Sequence, residues 1–303
     1  MNRRQFVQLT GMGIASTTLM ANALASAEYA LGSGNRVALK KAVKFGMIEE
    51  DMTILQKFEL LKSLGFDGVE MDSPSDLDVD EVVAARDTAG LPIHGVVDSV
   101  HWRQTLSDAD SAVREAGLDG LKIALNDAHA FGASTVLLVP AVVKKDVSYD
   151  DAYSRSQTEI RKVLPMANDL GVKIAIENVW NRFLLSPLEA ARYVDEFESD
   201  MIGWYMDVGN IVTFSWPEQW IRILGHRVLK LDIKEYSRAK RDEEGPYAGF
   251  RVALGEGDCN WPEVLNALDE IGYEGWATAE IPGGDTERLT EIATRMNRIL
   301  ELD

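Results

Sequence analysis

The chain alternates between two hydrophobic patterns from about residue 41 onward. Segments of helical length, with apolar positions three and four residues apart, lead to a glycine and then to a short run of apolar, often β-branched residues. This order recurs at residues 64–70, 131–138, 170–176 and 271–277, with glycine where the end of a helix needs a left-handed residue. Short strands separated by helices are typical of a parallel sheet with the helices outside it.

Eight such strands are predicted, each followed by a helix, and the last helix is predicted over residues 286–300. The strands are expected at residues 43–47, 68–71, 93–97, 135–139, 173–177, 202–207, 228–233 and 276–280. Eight βα units without a linker favour a single-domain α/β fold, the (β/α)8 or TIM barrel, over a doubly wound sheet. The charged, glycine-containing stretch 237–260 is predicted to be an irregular active-site loop after the seventh strand.

The first 27 residues have the features of an export signal. Arg3 and Arg4 form a twin-arginine start, residues 7–24 are weakly apolar, and Ala25-Ser26-Ala27 fits the rule for signal cleavage. The apolar run is too short and too interrupted to span a membrane. We therefore predict a twin-arginine signal peptide at residues 1–27, a flexible leader at 28–42 and the barrel at 43–303. Export to the periplasm, or otherwise out of the cytoplasm by this route, is expected.

Composition and charge narrow the chemistry. The 303 residues are 46% hydrophobic, and 31 basic against 49 acidic residues give a formal net charge of −18. A negative field disfavours nucleic acids and anionic lipids as partners, and it disfavours phosphorylated substrates, for which no glycine-rich phosphate loop is present either. With one cysteine, Cys259, and four histidines, a metal site would depend mainly on carboxylates.

Carboxylates end four consecutive predicted strands, at the barrel face where active sites form. The four acids are Glu177, Asp207, Asp232 and Glu280. One acid at a strand end is usually a helix cap or a solvated residue, but four in register would repel one another unless a cation bound them. All-oxygen ligation favours Mg²⁺ or Mn²⁺. Lys230, Lys234 and Arg238 would offset the surplus negative charge, unless the two lysines are solvated on the exterior of the barrel.

The segments around these acids resemble a known group of enzymes. Residues 176–181, 206–210, 231–235 and 254–258 are similar to the xylose isomerase-like superfamily of sugar isomerases and epimerases, which includes ketose 3-epimerases and hydroxypyruvate isomerases. The resemblance spans nearly the whole chain after the predicted signal. It implies metal ligands from strands five to eight, at Glu177, Asp207, position 232 and Glu280. This chain has Asp232 where the family has histidine, and Asn210 where many relatives have histidine, which leaves the identity of the metal open.

The resemblance also implies a reaction. Glu177 and Glu280 would lie on opposite faces of an unphosphorylated sugar or keto-sugar and would move a proton next to its carbonyl through an enediolate, giving a divalent-metal-dependent isomerase or epimerase. A lyase or hydrolase of 3-keto-glycosides could use the same site. A non-catalytic sugar-binding barrel is the third hypothesis, although a pure binder has no need to keep both glutamates.

Further residues are candidates for contact with the substrate. The spacing of Asp232, Glu235 and Arg238 matches the family's metal ligand, acid and substrate-contacting arginine. Trp102, with Trp180 and Trp216, could stack on a sugar face, and His101 could contact a hydroxyl, although core positions are equally common for such residues. The full set of substrate-binding candidates is Glu70, His101, Trp102, Asn178, Asn181, Asn210, Glu235 and Arg238. Barrels of this kind are often dimers or tetramers, and no sequence patch selects a homo-oligomeric state.

Overall fold

Eight parallel strands close into a barrel in chain order, with β8 paired to β1. The computed structural model describes residues 39–302, so the predicted signal peptide and residues 28–38 of the predicted leader lie outside the described residues. The closed order confirms the predicted (β/α)8 fold. The strands are β1 Lys40–Lys44, β2 Gly68–Ser73, β3 Ile93–Asp98, β4 Thr135–Leu138, β5 Lys173–Glu177, β6 Ile202–Asp207, β7 Val228–Ile233 and β8 Trp276–Ala279.

The helices lie between the strands and surround the barrel. Several begin after a side chain that accepts a hydrogen bond from the first turn, as Thr53, Ser148 and Asp285 do, and such caps fix where a helix starts. Among residues 39–302 no helix is both long and apolar enough to cross a bilayer. The helices are α1 Ile54–Ser63, α2 Val79–Ala89, α3 Ser111–Phe131, α4 Tyr149–Leu170, α5 Pro187–Asp195, α6 Val208–Val212, α7 Pro217–Leu224, α8 Arg238–Glu244, α9 Trp261–Glu270 and α10 Thr286–Leu300.

The structure departs most from the predicted elements at strand β1 and at the stretch 237–260. Strand β1 begins at Lys40 rather than at residue 43, inside the segment predicted to be a leader, because its lysines concealed the strand pattern. Lys41 is buried and donates to Asn297, and Lys44 points into the barrel mouth. The predicted irregular loop at 237–260 contains α8 and a 3₁₀ helix over Pro246–Phe250, since the Ser237 hydroxyl caps α8.

The barrel interior has an apolar side and a polar side. The apolar side is formed by Leu137, Ala175 and the ring of Tyr205, with Val97 and Leu229 packed against them. On the polar side, buried side chains lie within hydrogen-bond distance of one another in a series that leads toward the barrel mouth: Lys230, His94, Thr278, Tyr205 and Glu70. Packed side chains thus fill the interior, and the polar ones lead directly to the carboxyl ends of the strands, where the acids lie.

Candidate active site

The four predicted acids converge at the mouth of the barrel. Glu177 ends β5, Asp207 ends β6, Asp232 lies one residue before the end of β7, and Glu280 follows β8. Asp207 and Asp232 are direct partners across the β6–β7 pair. One carboxylate oxygen from each acid lies within 4.8 Å of the corresponding oxygen of every other. We call these four residues the acidic ring.

The acidic ring has the donor set of a site for a hard divalent cation. Glu177 Oε1 and Asp232 Oδ1 are buried, and neither has a hydrogen-bond partner within residues 39–302. A buried carboxylate oxygen without a donor is costly, and a cation is one way to satisfy it. Because all four ligands are carboxylates, the ring could bind a metal ion of the Mg²⁺ or Mn²⁺ type.

Two lysine ammonium groups also lie within this cluster of acids. Lys234 Nζ is 2.7 Å from Asp207 Oδ2 and 2.9 Å from Glu280 Oε2. Lys44 Nζ is 3.0 Å from Glu70 Oε2 and 3.1 Å from Asp232 Oδ2. The side chains of Lys44 and Lys234 are only 12% and 18% exposed. Lys230 is also buried, in the barrel interior. The alternative that Lys230 and Lys234 are solvated on the barrel exterior was therefore wrong.

These charges divide the acids into two kinds. Burial alone would raise the pKa of Glu280, but Lys44 and Lys234 lower it to about 2. Burial, together with the charge of Glu280, raises the pKa of Glu177 well above its ordinary value. Burial likewise raises the pKa of Asp232, although Lys44 opposes the shift. The environment therefore favours a charged carboxylate at Glu280 and disfavours one at Glu177.

A buried polar column supports Lys44 from below. Glu70 Oε1 accepts a hydrogen bond from the Tyr205 hydroxyl at 3.0 Å, and that hydroxyl lies 3.1 Å from Thr278 Oγ1. Thr278 Oγ1 is 3.1 Å from His94 Nε2, and Lys230 Nζ lies 3.1 Å from His94 Nδ1. Burial, with the nearby lysines, keeps the pKa of His94 well below its usual value, so the imidazole is neutral. Glu70, predicted to bind substrate, thus lies beneath the mouth and holds Lys44.

Three predicted substrate-binding residues line a cleft of about 510 Å³ above the acidic ring. They are His101, Trp102 and Asn210, and the cleft also exposes Glu177 and Glu280. His101 Nδ1 accepts from the Val139 N–H at 3.2 Å, and burial lowers the pKa of His101 to about 3, so it is neutral. Trp102 is 49% exposed and leaves part of its ring available for stacking.

Asn178 and Asn181 make buried hydrogen bonds to the backbone. Asn178 Oδ1 accepts from the Asp207 N–H and from Trp204 Nε1, while its amide nitrogen donates to the Asp207 carbonyl. Asn181 donates to the Ala141 carbonyl and is not among the residues that line the cleft. The contacts of Asn178 hold the β5 and β6 ends together, and so position Glu177 and Asp207.

Glu235 and Arg238 organise the loops around the mouth. Glu235 accepts hydrogen bonds from the N–H groups of Gly255 and Cys259 and from Trp261 Nε1, which ties the segment before α9 to β7. Arg238 donates to the carbonyls of Val212 and Ser215 and lies over the Trp216 ring. Neither residue lines the cleft, and neither does Trp216.

A second cavity of about 330 Å³ adjoins the cleft. The two share the walls formed by Val179, Trp180, Asn210 and Tyr247. Its remaining lining is mostly apolar, with Phe214 and Leu185, and its cation is Arg182. The mouth of the barrel therefore has more room than the space directly above the acidic ring.

Lys44, Asp72 and Asp98 line the cleft, although the sequence analysis did not select them as site residues. Asp98 ends β3 and Asp72 lies one residue before the end of β2, so the signal that identified the acidic ring was present for them too. Lys44 was missed because the predicted strand 43–47 placed it near the start of the strand, whereas it is the last residue of β1. The available signal was a lysine directly after the apolar pair Ala42 and Val43, at the carboxyl end of the strand.

Taken together, the fold and site define an α/β barrel whose mouth carries a lysine-containing cluster of carboxylates able to hold a cation. The chain belongs to the xylose isomerase-like TIM barrel family, whose family model matches residues 58–301. This confirms the family expected from the sequence motifs.

The chain is similar to proteins named as L-ribulose-5-phosphate 3-epimerases, which are sugar epimerases. The L-ribulose-5-phosphate 3-epimerase UlaE of Escherichia coli O1:K1 is 25% identical over 283 residues, covering 85% of this chain and 96% of that protein. The Salmonella paratyphi A enzyme of the same name is 24% identical over 288 residues, with the same two coverages.

Solved structures share the fold. The apo 3-keto-D-glucoside 4-epimerase YcjR of E. coli has a TM-score of 0.71 at 17% identity, covering 86% of this chain and 99% of that one. A D-allulose 3-epimerase from Methylomonas sp. in complex with D-allulose has a TM-score of 0.70 at 17% identity, with coverages of 86% and 97%.

Proposed function

We propose that this protein is a divalent-metal-dependent isomerase or epimerase of an unphosphorylated sugar or keto-sugar. The observation that carries the proposal is that Glu177 and Glu280 both line one cleft, with oxygens close to each other and to those of Asp207 and Asp232. Glu177 ends β5 and Glu280 follows β8, and two strands separate β5 from β8, so the two glutamates approach the cleft from different directions. The sugar epimerases among the relatives support the same reaction class.

In the proposed reaction one glutamate removes the proton beside the substrate carbonyl and the other returns it. Return to the opposite face gives an epimer, and return to the neighbouring carbon gives an aldose–ketose pair. Lys44 holds Asp232 in place, and the neutral His101 offers a polar contact to a hydroxyl. The acidic ring would hold Mg²⁺ or Mn²⁺, which when bound supplies charge stabilisation for the enediolate oxygen.

The lining of the cleft supports a neutral substrate. Its acids are Asp72, Asp98, Glu177 and Glu280, and the ammonium groups of its two lysines are already paired with carboxylates. A phosphate placed there would meet an excess of negative charge. Arg182, in the adjoining cavity, is the cation that a phosphate could reach, so ketose 5-phosphates form a separate arm of the test.

The test is exchange of substrate protons with solvent. Neutral ketoses, 3-keto-glycosides and ketose 5-phosphates are incubated with the protein and Mn²⁺ in D₂O, and deuterium uptake next to the carbonyl is followed by NMR. Uptake should fall about a hundredfold or more in Glu177→Gln and Glu280→Gln, and should be unchanged in Glu59→Gln, an exposed glutamate on α1. Sugar binding without deuterium uptake would favour the non-catalytic barrel. Faster deuterium uptake by ketose 5-phosphates than by the neutral sugars would reject the proposal of a neutral substrate.

A keto-glycoside is the second candidate substrate, for epimerisation or for β-elimination. The adjoining cavity favours it, because a group attached to the sugar ring would have an apolar, aromatic space beside the cleft. Phe214→Ala should raise the KM for keto-glycosides about tenfold while leaving the KM for free ketoses unchanged. An equal effect on both substrates would count against the second subsite.

We also propose that the chain is exported by the twin-arginine route. The support is in the sequence, from Arg3 and Arg4 to the Ala25-Ser26-Ala27 cleavage site. Replacing both arginines by lysine should retain the protein in the cytoplasm, as measured by cell fractionation and by the mass of the mature chain. Export of the double variant at the normal rate would argue against this route.

A further inference from the structure

The ammonium group of Lys234 lies between two of the four carboxylates that would bind a metal ion. Its Nζ is 2.7 Å from Asp207 Oδ2 and 2.9 Å from Glu280 Oε2. Both residues belong to the acidic ring. Lys234 therefore already contacts the two residues that a divalent cation would need from β6 and from the end of β8.

A divalent ion bound by these oxygens would compete with the ammonium group for them. Mg²⁺ binds oxygen ligands at about 2.0–2.1 Å, closer than either contact of the Lys234 ammonium group. An ion at that distance from Asp207 and Glu280 would lie within a few ångströms of Lys234 Nζ. Two positive charges at that separation in a buried site repel strongly.

Lys44 has a different role from Lys234. It pairs with Glu70 and Asp232, whose side chains are fully buried, and its Nζ lies 4.0 Å from Glu280 Oε2. Tyr205 holds Glu70 through the polar column. Glu177 Oε1 and Asp232 Oδ1 are left without hydrogen bonds, both in residues that are at least nine-tenths buried. Lys44 is therefore anchored by Glu70, a partner outside the acidic ring, whereas both ion-pair partners of Lys234 belong to the ring.

Lys234 has space into which its side chain can move. It lines both the main cleft and a smaller cavity of about 300 Å³ beside it, together with Asn210, Phe250 and Ile281. Its partner Glu280 is 36% exposed, unlike the fully buried Asp207. Four rotatable side-chain bonds allow the ammonium group to turn from the acidic ring into this cavity.

We propose that Lys234 is an internal competitor for the divalent cation. Its ammonium group neutralises Asp207 and Glu280 when the acidic ring holds no ion, and ion binding moves it into the neighbouring cavity. The inference rests on the proposed metal site, but not on the proposed reaction. Competition by Lys234 stabilises the ion-free acidic ring and lowers the affinity of the ring for metal.

The test measures binding of the metal alone, without substrate. Mn²⁺ and Mg²⁺ are titrated calorimetrically into the wild-type protein, into Lys234→Met and into Lys145→Met, at an exposed lysine that does not line the cleft. Lys234→Met should bind Mn²⁺ at least about tenfold more tightly than the wild type, and Lys145→Met should bind like the wild type. Equal or weaker binding by Lys234→Met would overturn the competition while leaving the metal site in place. Absence of binding in every variant would reject both the competition and the metal site.

A crystal structure of the wild-type protein with Mn²⁺ gives an independent readout, which does not depend on whether Lys234→Met folds. Anomalous scattering should locate the ion at the acidic ring, with Lys234 Nζ beyond ion-pair distance, about 4 Å, from Asp207 and Glu280. An ion bound by all four carboxylates, with both Lys234 contacts intact, would overturn the proposal.

Discussion

Lys44 and Asp232 are separated by 188 residues in the chain, yet Lys44 Nζ lies 3.1 Å from Asp232 Oδ2 inside the barrel mouth. The family resemblance places a histidine at position 232, which would be neutral as a metal ligand. Aspartate adds a negative charge there, and the Lys44 ammonium group compensates it. Position 44 and position 232 therefore form a charge pair that the sequence of either strand alone does not reveal.

We predict that the two members of this pair are energetically coupled. Lys44→Met should destabilise the protein by about 3–5 kcal/mol, because it leaves Glu70 and Asp232 buried without their cation. Adding Asp232→His to Lys44→Met should recover part of that loss, since it removes one of the two unpaired anions. Urea unfolding of both single variants and the double variant gives the coupling energy. Lys145→Met, at an exposed lysine, is the control, and additive effects would contradict the prediction.

Metal should stabilise the protein through the acidic ring. At a hundredfold excess over its Kd, Mn²⁺ should add about 2.7 kcal/mol to the free energy of unfolding and raise Tm, and a chelator should reverse the effect. Asp207→Asn should abolish most of this gain because it removes a charged ligand. Asp146→Asn, an exposed aspartate, should retain it. A rise in Tm that survives in Asp207→Asn would place the ion elsewhere.

The stability of the protein should depend on pH through Asp98. Burial raises the pKa of Asp98 from 3.8 to about 7, although the Val100 N–H opposes the shift. The folded protein then holds this proton more tightly than the unfolded chain, so the contribution of Asp98 to stability falls as pH rises from about 4 to about 7.

The isosteric variant Asp98→Asn removes this titration. Relative to the wild type it should gain up to about 4 kcal/mol between pH 4 and pH 7, as measured by urea unfolding at several pH values. The difference should stay constant above pH 7. Parallel stability curves for the two proteins would show that Asp98 titrates normally.

The hydroxyl group of Tyr205, in the polar column, should contribute to the free energy of unfolding. Tyr205→Phe removes the donor to Glu70 Oε1 and should cost about 1–3 kcal/mol, because Glu70 would remain buried with one fewer hydrogen bond. Tyr247→Phe, at a tyrosine that is 74% exposed, should change the free energy of unfolding very little. A Tyr205→Phe protein as stable as the wild type would indicate that the column adds no net stability.

Much of the architecture could be predicted from the sequence because it depends on local patterns. The repeated order of helix, glycine and apolar strand indicated eight βα units, and strands β5, β6 and β7 have the predicted bounds. Strand β1 was placed three residues late, since Lys40 and Lys41 resemble a solvated leader. The burial of Lys41 and Lys44 depends on partners that are distant in sequence, Asn297 and Asp232.

The acids of the candidate site could be predicted because a parallel barrel brings the carboxyl ends of its strands together. Their counter-charges could not, since an ion pair depends on side-chain directions that only the closed barrel fixes. Lys234 follows Asp232 by two residues, yet it pairs with Asp207 and Glu280 on the neighbouring strands. Glu235 and Arg238 fit the family's spacing, but their hydrogen bonds organise loops.

The sequence by itself determined the barrel, the family and the four acids that end consecutive strands. Hydrophobic periodicity and strand order are enough for these, because they depend on neighbours along the chain. The tertiary structure decided which cations lie among the acids, which polar residues form the column beneath them and how far the cleft extends. These features depend on Coulomb interactions and packing between residues that come together only when β8 pairs with β1.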